Sequence, residues 1–223
     1  MSLSRWDHRI ARAVDLESAC PAARDLLRFY RSIAAFQNDH AAQNLDELKA
    51  SIPDLRCLLE RTGHPDLAAC EFTPAQLDAF WQGADLDPAP EFFARVLLEP
   101  YAARVDGCPW CTRKPHAALL RPEGHGARRS LVCALCFAER PFPRVRCPAC
   151  GEEEFSKLPV YTAEEFNYIR IDACETCRCY IKTIDLTKNG LAEPLVDDLA
   201  TIALDLWARE QGYTKVAPNL MAL

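Results

Sequence analysis

The chain has 223 residues, of which 49% are hydrophobic and 26% charged, and its formal net charge is −6, ordinary values for a folded soluble protein. Its twelve cysteines stay below the roughly 8–10% of residues that marks a scaffold built from disulfides. The longest run without a charged side chain spans nine residues, 130–138, whereas a membrane helix needs about 20. We therefore expect neither a membrane protein nor a disulfide-rich or disordered one.

The amino-terminal residues 1–7 contain no apolar segment of the kind that a secretory signal needs. We therefore expect the chain to lie in the reducing cytoplasm. In that compartment, paired cysteines bind metals or carry out redox chemistry rather than form structural disulfides.

Charge and cysteine positions divide the chain. Residues 1–103 carry a net charge of −6, residues 104–182 carry +3 and residues 183–223 carry −3. Because all four C-x-x-C pairs lie in the middle part, we predict a boundary near residue 104. The predicted units are a helical domain at 1–103, a first four-cysteine metal module at 104–140, a second at 141–186, and a C-terminal helix at 187–223 that packs on the rest.

Residues 1–103 have the periodicity and punctuation of helices. Pro21 stands where a helix begins, and Thr73-Pro74-Ala75-Gln76 fits a capping box with proline at the first helical position. Gly83 suits the end of that helix. A further helix is predicted to open at Asp87-Pro88, and Pro100 is expected to kink or end it.

The cysteines carry the most specific signal. Two successive modules share the form C-x₂-C-x₂₁₋₂₃-C-x₂-C, close to the spacing of zinc ribbons. Two intervening residues form a tight turn that aims both sulfurs at one metal. The predicted ligands are Cys108, Cys111, Cys133, Cys136, Cys147, Cys150, Cys174 and Cys177.

These ligands predict two S₄ sites, each holding one ion of zinc or iron, since thiolates alone do not separate the two metals. Such sites are closed to substrate, so the metal is expected to be structural and the protein not to be an enzyme. The competing interpretation, thiol–disulfide redox chemistry, expects a C-x-x-C that opens a helix in a βαβ context, and the sequence has none.

Short strands and tight turns are predicted around the cysteine pairs. Residues 130–132, 144–146 and 166–171 are read as strands, with a hairpin turn at Gly124 and Gly126. A glycine after the second cysteine of a pair relieves a positive φ, and Gly151 meets this requirement. The equivalent residues in the other three pairs are Thr112, Phe137 and Arg178.

The last part contains an amphipathic helix, predicted over residues 193–211 and capped by Gly212. Its apolar stripe is predicted to be Leu195, Leu199, Ile202 and Leu206. Acidic pairs such as Glu164-Glu165 and Asp197-Asp198 are expected to lie on solvated faces.

Cysteines and histidines outside the four C-x-x-C pairs are not counted among the eight predicted metal ligands. Cys20, Cys57 and Cys70 are predicted to be buried packing residues, whereas Cys179 is a possible spare ligand or reactive thiol. His116 and His125 lie within the first module, but four cysteines already satisfy a metal, so neither is expected to bind it.

From Cys108 to its end, the chain resembles the formate dehydrogenase accessory proteins (FdhE). The resemblance lies in the four ordered cysteine pairs, in Cys174-Glu-Thr-Cys177 followed by Tyr180-Ile-Lys182, and in the segment Asp-Asp-Leu-Ala at 197–200. Two upstream segments, Leu27-Arg-Phe-Tyr30 and Phe93-Ala-Arg95, are similar to the family's helical part. The chain is shorter than family members, chiefly before Cys108.

The resemblance implies an α+β fold with two tandem rubredoxin-like modules, and a cytoplasmic assembly factor or chaperone rather than a catalyst. It further implies that the protein contacts the catalytic subunit of formate dehydrogenase before export, and that the metal is iron.

Two alternatives of other classes remain. One is a nucleic-acid-binding ribbon protein, whose phosphate contacts would be Arg128, Arg129, Arg140, Arg144 and Arg146. The net charge of only +3 in that part argues against it, because a basic footprint is expected. The other is a redox or sulfur-handling enzyme that uses Cys177 and Cys179.

Overall fold

The computed structural model describes residues 4–40 and 44–221. The fold class is α+β, as predicted: a helical region is followed by a sheet that carries both cysteine groups and then by helices. The N-terminal helices are α1 (Arg5–Ala19), α2 (Arg24–Asp39), α3 (Leu45–Ala50), α4 (Ile52–Arg61), α5 (Pro65–Ala68), α6 (Pro74–Trp81) and α7 (Pro88–Ala102).

These helices bury one apolar face each. Leu27, Tyr30 and Ile33 recur at helical spacing along α2 and are fully buried. They share a core with Phe80 of α6 and Phe93 of α7. The N-terminal region is therefore held together mainly by apolar burial.

The predicted capping box at α6 is confirmed. The Thr73 hydroxyl accepts a hydrogen bond from the backbone N–H of Gln76 (3.3 Å), and the Gln76 side-chain oxygen accepts one from the backbone N–H of Thr73 (2.8 Å). Gly83, just past the helix, has a φ of +97°, a conformation that glycine adopts without steric cost.

Prolines mark other helix ends, as predicted. Pro21 begins a short 3₁₀ turn, Pro21–Ala23, that leads into α2. Asp87 is the N-cap of α7, and Pro88 is its first residue. The same helix ends at Ala102, two residues after Pro100. Pro100 has no N–H to donate to the carbonyl oxygen of Val96, and that oxygen accepts a hydrogen bond from the Gln37 side-chain amide instead (3.0 Å).

Replacing Thr73 by alanine is expected to lower the free energy of unfolding by about 1 kcal/mol, because two backbone N–H groups at the start of α6 lose a fixed cap. Urea denaturation of both proteins measures the difference. Thr73→Ser keeps the hydroxyl and is the matched control. Equal losses in both variants would show that the methyl group, and not the cap, carries the effect.

All described strands belong to one seven-stranded sheet of order β3-β2-β1-β6-β5-β4, in which β7 also pairs with β6. The hairpin between β1 and β2 turns at Gly124 (φ +55°), as predicted. The strands are β1 (Ala117–Glu123), β2 (Gly126–Val132), β3 (Glu139–Pro141), β4 (Val160–Thr162), β5 (Ile169–Ala173), β6 (Cys179–Asp185) and β7 (Thr214–Lys215).

The two cysteine groups share this sheet. Strand β1 follows the first C-x-x-C pair, β6 follows the fourth, and the two strands pair in parallel with Ala118 opposite Thr183. The sequence repeat predicts two modules in tandem but does not show that they join edge to edge. The domain boundaries stay a prediction.

Two predicted strands differ from the structure. Residues 144–146 form bends, because Pro143, like Pro141 at the end of β3, lacks the N–H that a strand ladder needs. The strand predicted at 166–171 is β5, which begins only at Ile169. The residues before it form a 3₁₀ turn, Glu164–Phe166.

The predicted C-terminal helix is two helices, α8 (Pro194–Ala200) and α9 (Ile202–Glu210). Thr201 separates them with φ −103° and ψ 39°. The Lys182 ammonium donates to the carbonyl oxygens of Asp198 (2.6 Å) and Thr201 (3.4 Å). The Lys182 side chain thus donates to carbonyl oxygens that would accept hydrogen bonds from backbone N–H groups in a continuous helix.

This break changes the buried face of α9. Leu204 and Ala208 are buried, whereas Leu206, predicted on the apolar stripe, is 51% exposed. Leu195 and Leu199 of α8 are buried as predicted. The stripe prediction therefore holds for the first helix and is wrong for Leu206, because a single 3.6-residue period cannot cross the break.

The first and last helical parts are in contact. The Arg12 guanidinium donates to both carboxylate oxygens of Asp197 (3.0 and 2.6 Å), and Arg9 donates to Glu193 (3.0 Å). Helix α8 is thereby fixed between α1 and the sheet. Within the described residues, none of the helices is long and apolar enough to span a membrane.

Candidate metal centres

The first cysteine group lies at one end of the β1–β2 hairpin. The sulfurs of Cys108 and Cys133 are 4.0 Å apart, and those of Cys111 and Cys136 are 3.4 Å apart. Cys133 directly follows β2, whose pairing with β1 fixes its position. All four sulfurs lie within 4.8 Å of one another, so this group can hold a metal ion.

The second group is built in the same way between β5 and β6. The sulfurs of Cys147 and Cys177 are 3.7 Å apart, as are those of Cys150 and Cys174. In a tetrahedral site with metal–sulfur bonds of about 2.3 Å, neighbouring sulfurs lie about 3.8 Å apart. The observed separations agree with that geometry in both groups, so the donor set fits a tetrahedral ion such as zinc or iron.

Three of the four C-x-x-C turns place the following residue in the left-handed region. Gly151 has a φ of +80°, Phe137 +59° and Arg178 +55°, whereas Thr112 is not among the residues with positive φ. A left-handed conformation costs a residue with a Cβ about 1–2 kcal/mol.

Side-chain contacts hold the two larger residues in place. The guanidinium carbon of Arg9 lies 4.3 Å from the Phe137 ring, and that of Arg178 lies 4.0 Å from the Tyr213 ring.

Backbone N–H groups also point at the sulfurs. The N–H of Ala149 donates to the Cys147 sulfur (3.4 Å). A hydrogen bond from the backbone N–H of Glu152 lowers the pKa of the Cys150 thiol. In the first group, contacts with the neighbouring thiols of Cys108 and Cys133 lower the pKa of Cys136. These contacts favour the thiolate form of Cys136 and Cys150, whereas burial raises the pKa of Cys147 despite its backbone donor.

The four other cysteines lie outside both groups. Cys20 is buried, as predicted, and Cys70 is half-buried. The prediction that Cys57 is buried is wrong, since it is exposed. It lies on α4 midway between the buried residues Leu55 and Leu59, and an offset of two residues points away from their face. Cys179 is half-buried and its thiol contacts the Cys177 carbonyl oxygen at 3.7 Å.

Comparison with known proteins identifies the C-terminal part. Residues 145–222 match the family model "FdhE, C-terminal domain". The resemblance to the FdhE family is confirmed. The chain is 41% identical over 159 residues to a protein FdhE homolog of Aquifex aeolicus. The aligned stretch covers 65% of this chain and 56% of that protein.

A protein FdhE homolog of Pseudomonas putida is 36% identical over 163 residues, which covers 69% of this chain and 48% of that protein. The chain thus spans about half the length of the curated relatives it matches. The crystal structure of the FdhE protein from Pseudomonas aeruginosa superimposes with a TM-score of 0.72 at 22% identity. It covers 100% of this chain and 98% of that one, so the two share a fold.

The stretch that matches the family model also contains a buried charge cluster, which the sequence does not predict. Asp197 and Asp198 are predicted on a solvated face, and this prediction is wrong because both are fully buried. Asp198 accepts hydrogen bonds from Lys215 (2.9 Å) and from the Asn219 amide (2.8 Å). Glu164 and Glu165, by contrast, are exposed as predicted.

A second aspartate completes this cluster. Lys182 forms ion pairs with Asp198 (3.0 Å) and Asp205 (2.6 Å), and the Tyr180 hydroxyl donates to Asp205 (2.8 Å). Tyr180 and Lys182 lie on the same face of β6 because they are two residues apart in a strand. That spacing is the one sequence signal from which the cluster could have been inferred.

His116 lies beside this cluster and is fully buried. Its Nε2 is 3.9 Å from an Asp198 oxygen, and neither ring nitrogen has a hydrogen-bond partner among the described residues. Burial lowers the pKa of His116 to about 3. The ring is therefore neutral at pH 7, and it lies outside both cysteine groups.

Replacing His116 by phenylalanine is expected to reduce the loss of stability at acid pH. The unfolded chain binds a proton on this residue below a pH of about 6.5, whereas the folded chain does so only near pH 3. The free energy of unfolding therefore has its full value above pH 6.5, and protonation of this residue in the unfolded chain lowers it by about 2 kcal/mol by pH 5. Denaturation at pH 7.5 and 5 measures the difference, with His125→Gln, at an exposed site, as control. An unchanged difference in His116→Phe would contradict the expectation.

Proposed function

We propose that this chain is a cytoplasmic accessory protein for the maturation of formate dehydrogenase, and that it binds the catalytic subunit of that enzyme. The match of residues 145–222 to the FdhE C-terminal domain carries the proposal. That stretch contains the whole second cysteine group, so the matched domain includes a candidate metal centre.

The proposal includes one metal ion in each cysteine group, zinc or iron, held by four thiolates. Four protein ligands leave no coordination position for a substrate, so the metal supplies folding free energy rather than catalysis. Elemental analysis distinguishes the metals, and a colourless protein indicates zinc, which is d¹⁰.

The geometry supports a rigid binding platform. The parallel pair of β1 and β6 joins the two cysteine groups in one sheet, and the Arg12–Asp197 ion pair joins that sheet's covering helix to α1. A surface whose elements are cross-linked in this way loses little conformational entropy when it binds a partner. This property suits a protein that holds an immature subunit.

Deletion of the gene tests the proposal. Loss of formate oxidation, restored by the chain but not by a variant with Cys108→Ser and Cys147→Ser, is the expected result. Cys57→Ser is the matched control, because that cysteine is exposed and outside both groups. Purified chain is also expected to retain the catalytic subunit in a pull-down experiment.

Intact formate oxidation in the deletion strain, together with no complex between the purified proteins, would overturn the proposed function.

The nucleic-acid alternative depends on arginines that can reach phosphates. One of the five, Arg129, is buried and donates to the carbonyl oxygens of Pro143 and Arg146. It is thus used inside the protein, which weakens the nucleic-acid alternative.

A further inference from the structure

A small cavity next to the second cysteine group is lined by arginines. It lies on the face of the sheet formed by β5 and β6, beneath the bends at 144–146. Four of its lining residues are Arg129, Arg144, Arg146 and Arg170, and one is an acid, Asp172. Like charges gathered around a cavity repel one another unless an anion lies among them.

Arg129 is the buried member of this set. It is 3% exposed, and it forms an ion pair with Asp172 (3.1 Å). Its Nε is buried and has no hydrogen-bond partner among the described residues. A buried N–H of a charged group without a partner is costly, and an oxygen of an anion would satisfy it.

The Asp172 carboxylate, which pairs with Arg129, already has other hydrogen-bond partners. Asp172 also accepts hydrogen bonds from Arg170 (2.8 Å) and from the Thr183 hydroxyl (2.8 Å). Among the described residues, Arg144 makes only a long contact, 3.4 Å, with the carbonyl oxygen of Ala127, and Arg146 forms an exposed 3.5 Å pair with Glu153. The guanidinium groups at the cavity mouth therefore have donors to spare.

The cysteine group does not cancel this charge. Cys147 and Cys174 line the same cavity, and four thiolates around a divalent ion carry two negative charges. Those charges and that of Asp172 balance three of the four arginines, and the exposed Glu153 lies 3.5 Å from the fourth, Arg146. Arg144, at the mouth of the cavity, has no carboxylate partner among the described residues.

The volume limits the ligand. The cavity measures about 40 Å³, more than the roughly 10–15 Å³ that a single water needs. It therefore has room for a small polar group such as a tetrahedral oxyanion at its mouth. Arginine forks are suited to such oxygens because they donate two parallel hydrogen bonds.

We propose that this cavity, the arginine pocket, binds a tetrahedral oxyanion, either inorganic phosphate or the phosphate group of a small molecule. The pocket is independent of the proposed function, since it makes no use of a protein partner. Arg129 supplies the buried contact, whereas Arg144 and Arg170 supply charge closer to solvent. Bound phosphate would also fix the bends at 144–146 against the sheet.

Calorimetric titration of the metal-loaded full chain tests the pocket with inorganic phosphate, sulfate and glycerol 3-phosphate. Saturable binding is expected, and Arg144→Gln and Arg170→Gln are each expected to weaken it about tenfold, the effect of losing one charge-assisted contact. Arg61→Gln removes an exposed arginine far along the chain on α4 and is expected to leave binding unchanged. Metal content, expected to be equal in all variants, shows that each one has folded.

The three ligands separate the possible sources. Tighter binding of phosphate or sulfate indicates a free ion, and tighter binding of glycerol 3-phosphate indicates a phosphorylated molecule; either result supports the pocket. Absence of saturable binding would overturn the proposal, as would equal weakening by Arg61→Gln. Binding of a single-stranded oligonucleotide without binding of any of these small ligands would also overturn it and would favour a nucleic-acid surface instead.

Discussion

Replacing Cys147 by serine is expected to lower the metal content of the purified chain from two equivalents to one. The second cysteine group loses one of its four sulfurs, and a structural zinc at pH 7 supplies of order 10 kcal/mol of folding free energy. The loss should be local. We expect rapid amide hydrogen exchange around β4, β5 and the start of β6, and an unchanged helical circular dichroism signal from α1–α7.

Elemental analysis and hydrogen exchange measure the two parts of this expectation. Cys108→Ser should remove the other equivalent and loosen the β1–β2 hairpin instead. Cys57→Ser, at an exposed position of α4, is the control and should retain both equivalents. Two equivalents in Cys147→Ser would contradict the ligand assignment.

Replacing Asp198 by asparagine is expected to lower the free energy of unfolding by about 3–5 kcal/mol, the cost of breaking a buried ion pair. Asp198 faces Lys182 at 3.0 Å and Lys215 at 2.9 Å, and these cations would keep only Asp205 as a charged partner. Burial opposes ionisation of Asp198, but the two lysines hold its pKa well below the ordinary value. Its stabilising contribution is thus present above pH 4 and is lost as pH falls further.

Chemical denaturation of the metal-loaded protein at pH 7 measures this loss. Glu164→Gln is the matched control, since it also neutralises an acid but at an exposed site, and its effect should stay within about 0.5 kcal/mol. A loss below 1 kcal/mol in Asp198→Asn would show that Asp205 alone is a sufficient partner for both lysines.

Local signals led to correct predictions where the partners are close in sequence. The Thr73–Gln76 box, the Gly124 turn and the C-x-x-C pairs each involve residues at most three positions apart. Backbone geometry alone brings such residues together. The grouping of the four pairs was predictable from a different signal, the repeated spacing C-x₂-C-x₂₁₋₂₃-C-x₂-C, which is close to that of zinc ribbons.

Long-range contacts explain what the sequence could not show. Asp197 is paired with Arg12, 185 residues away, and Asp198 with Lys215, 17 residues away. From the sequence, an acidic side chain is predicted to be solvated unless a cationic partner can be identified. Nothing in the neighbouring residues identifies Arg12 or Lys215 as that partner. The break at Thr201 has the same origin, since the Lys182 ammonium that bonds its carbonyl comes from β6.

The resemblance to the FdhE family needed Tyr180-Ile-Lys182 and the segment at 197–200 as well as the cysteines, but eight of the twelve cysteines by themselves determined two four-sulfur groups. Spacing suffices for this because a C-x-x-C turn has few conformations. The tertiary structure decided that both groups share one sheet, that Cys57 is exposed and that Asp197 and Asp198 are buried. Each of these features depends on which distant part of the chain packs against a residue. That packing is driven by apolar burial, which is complete only when the whole chain has folded.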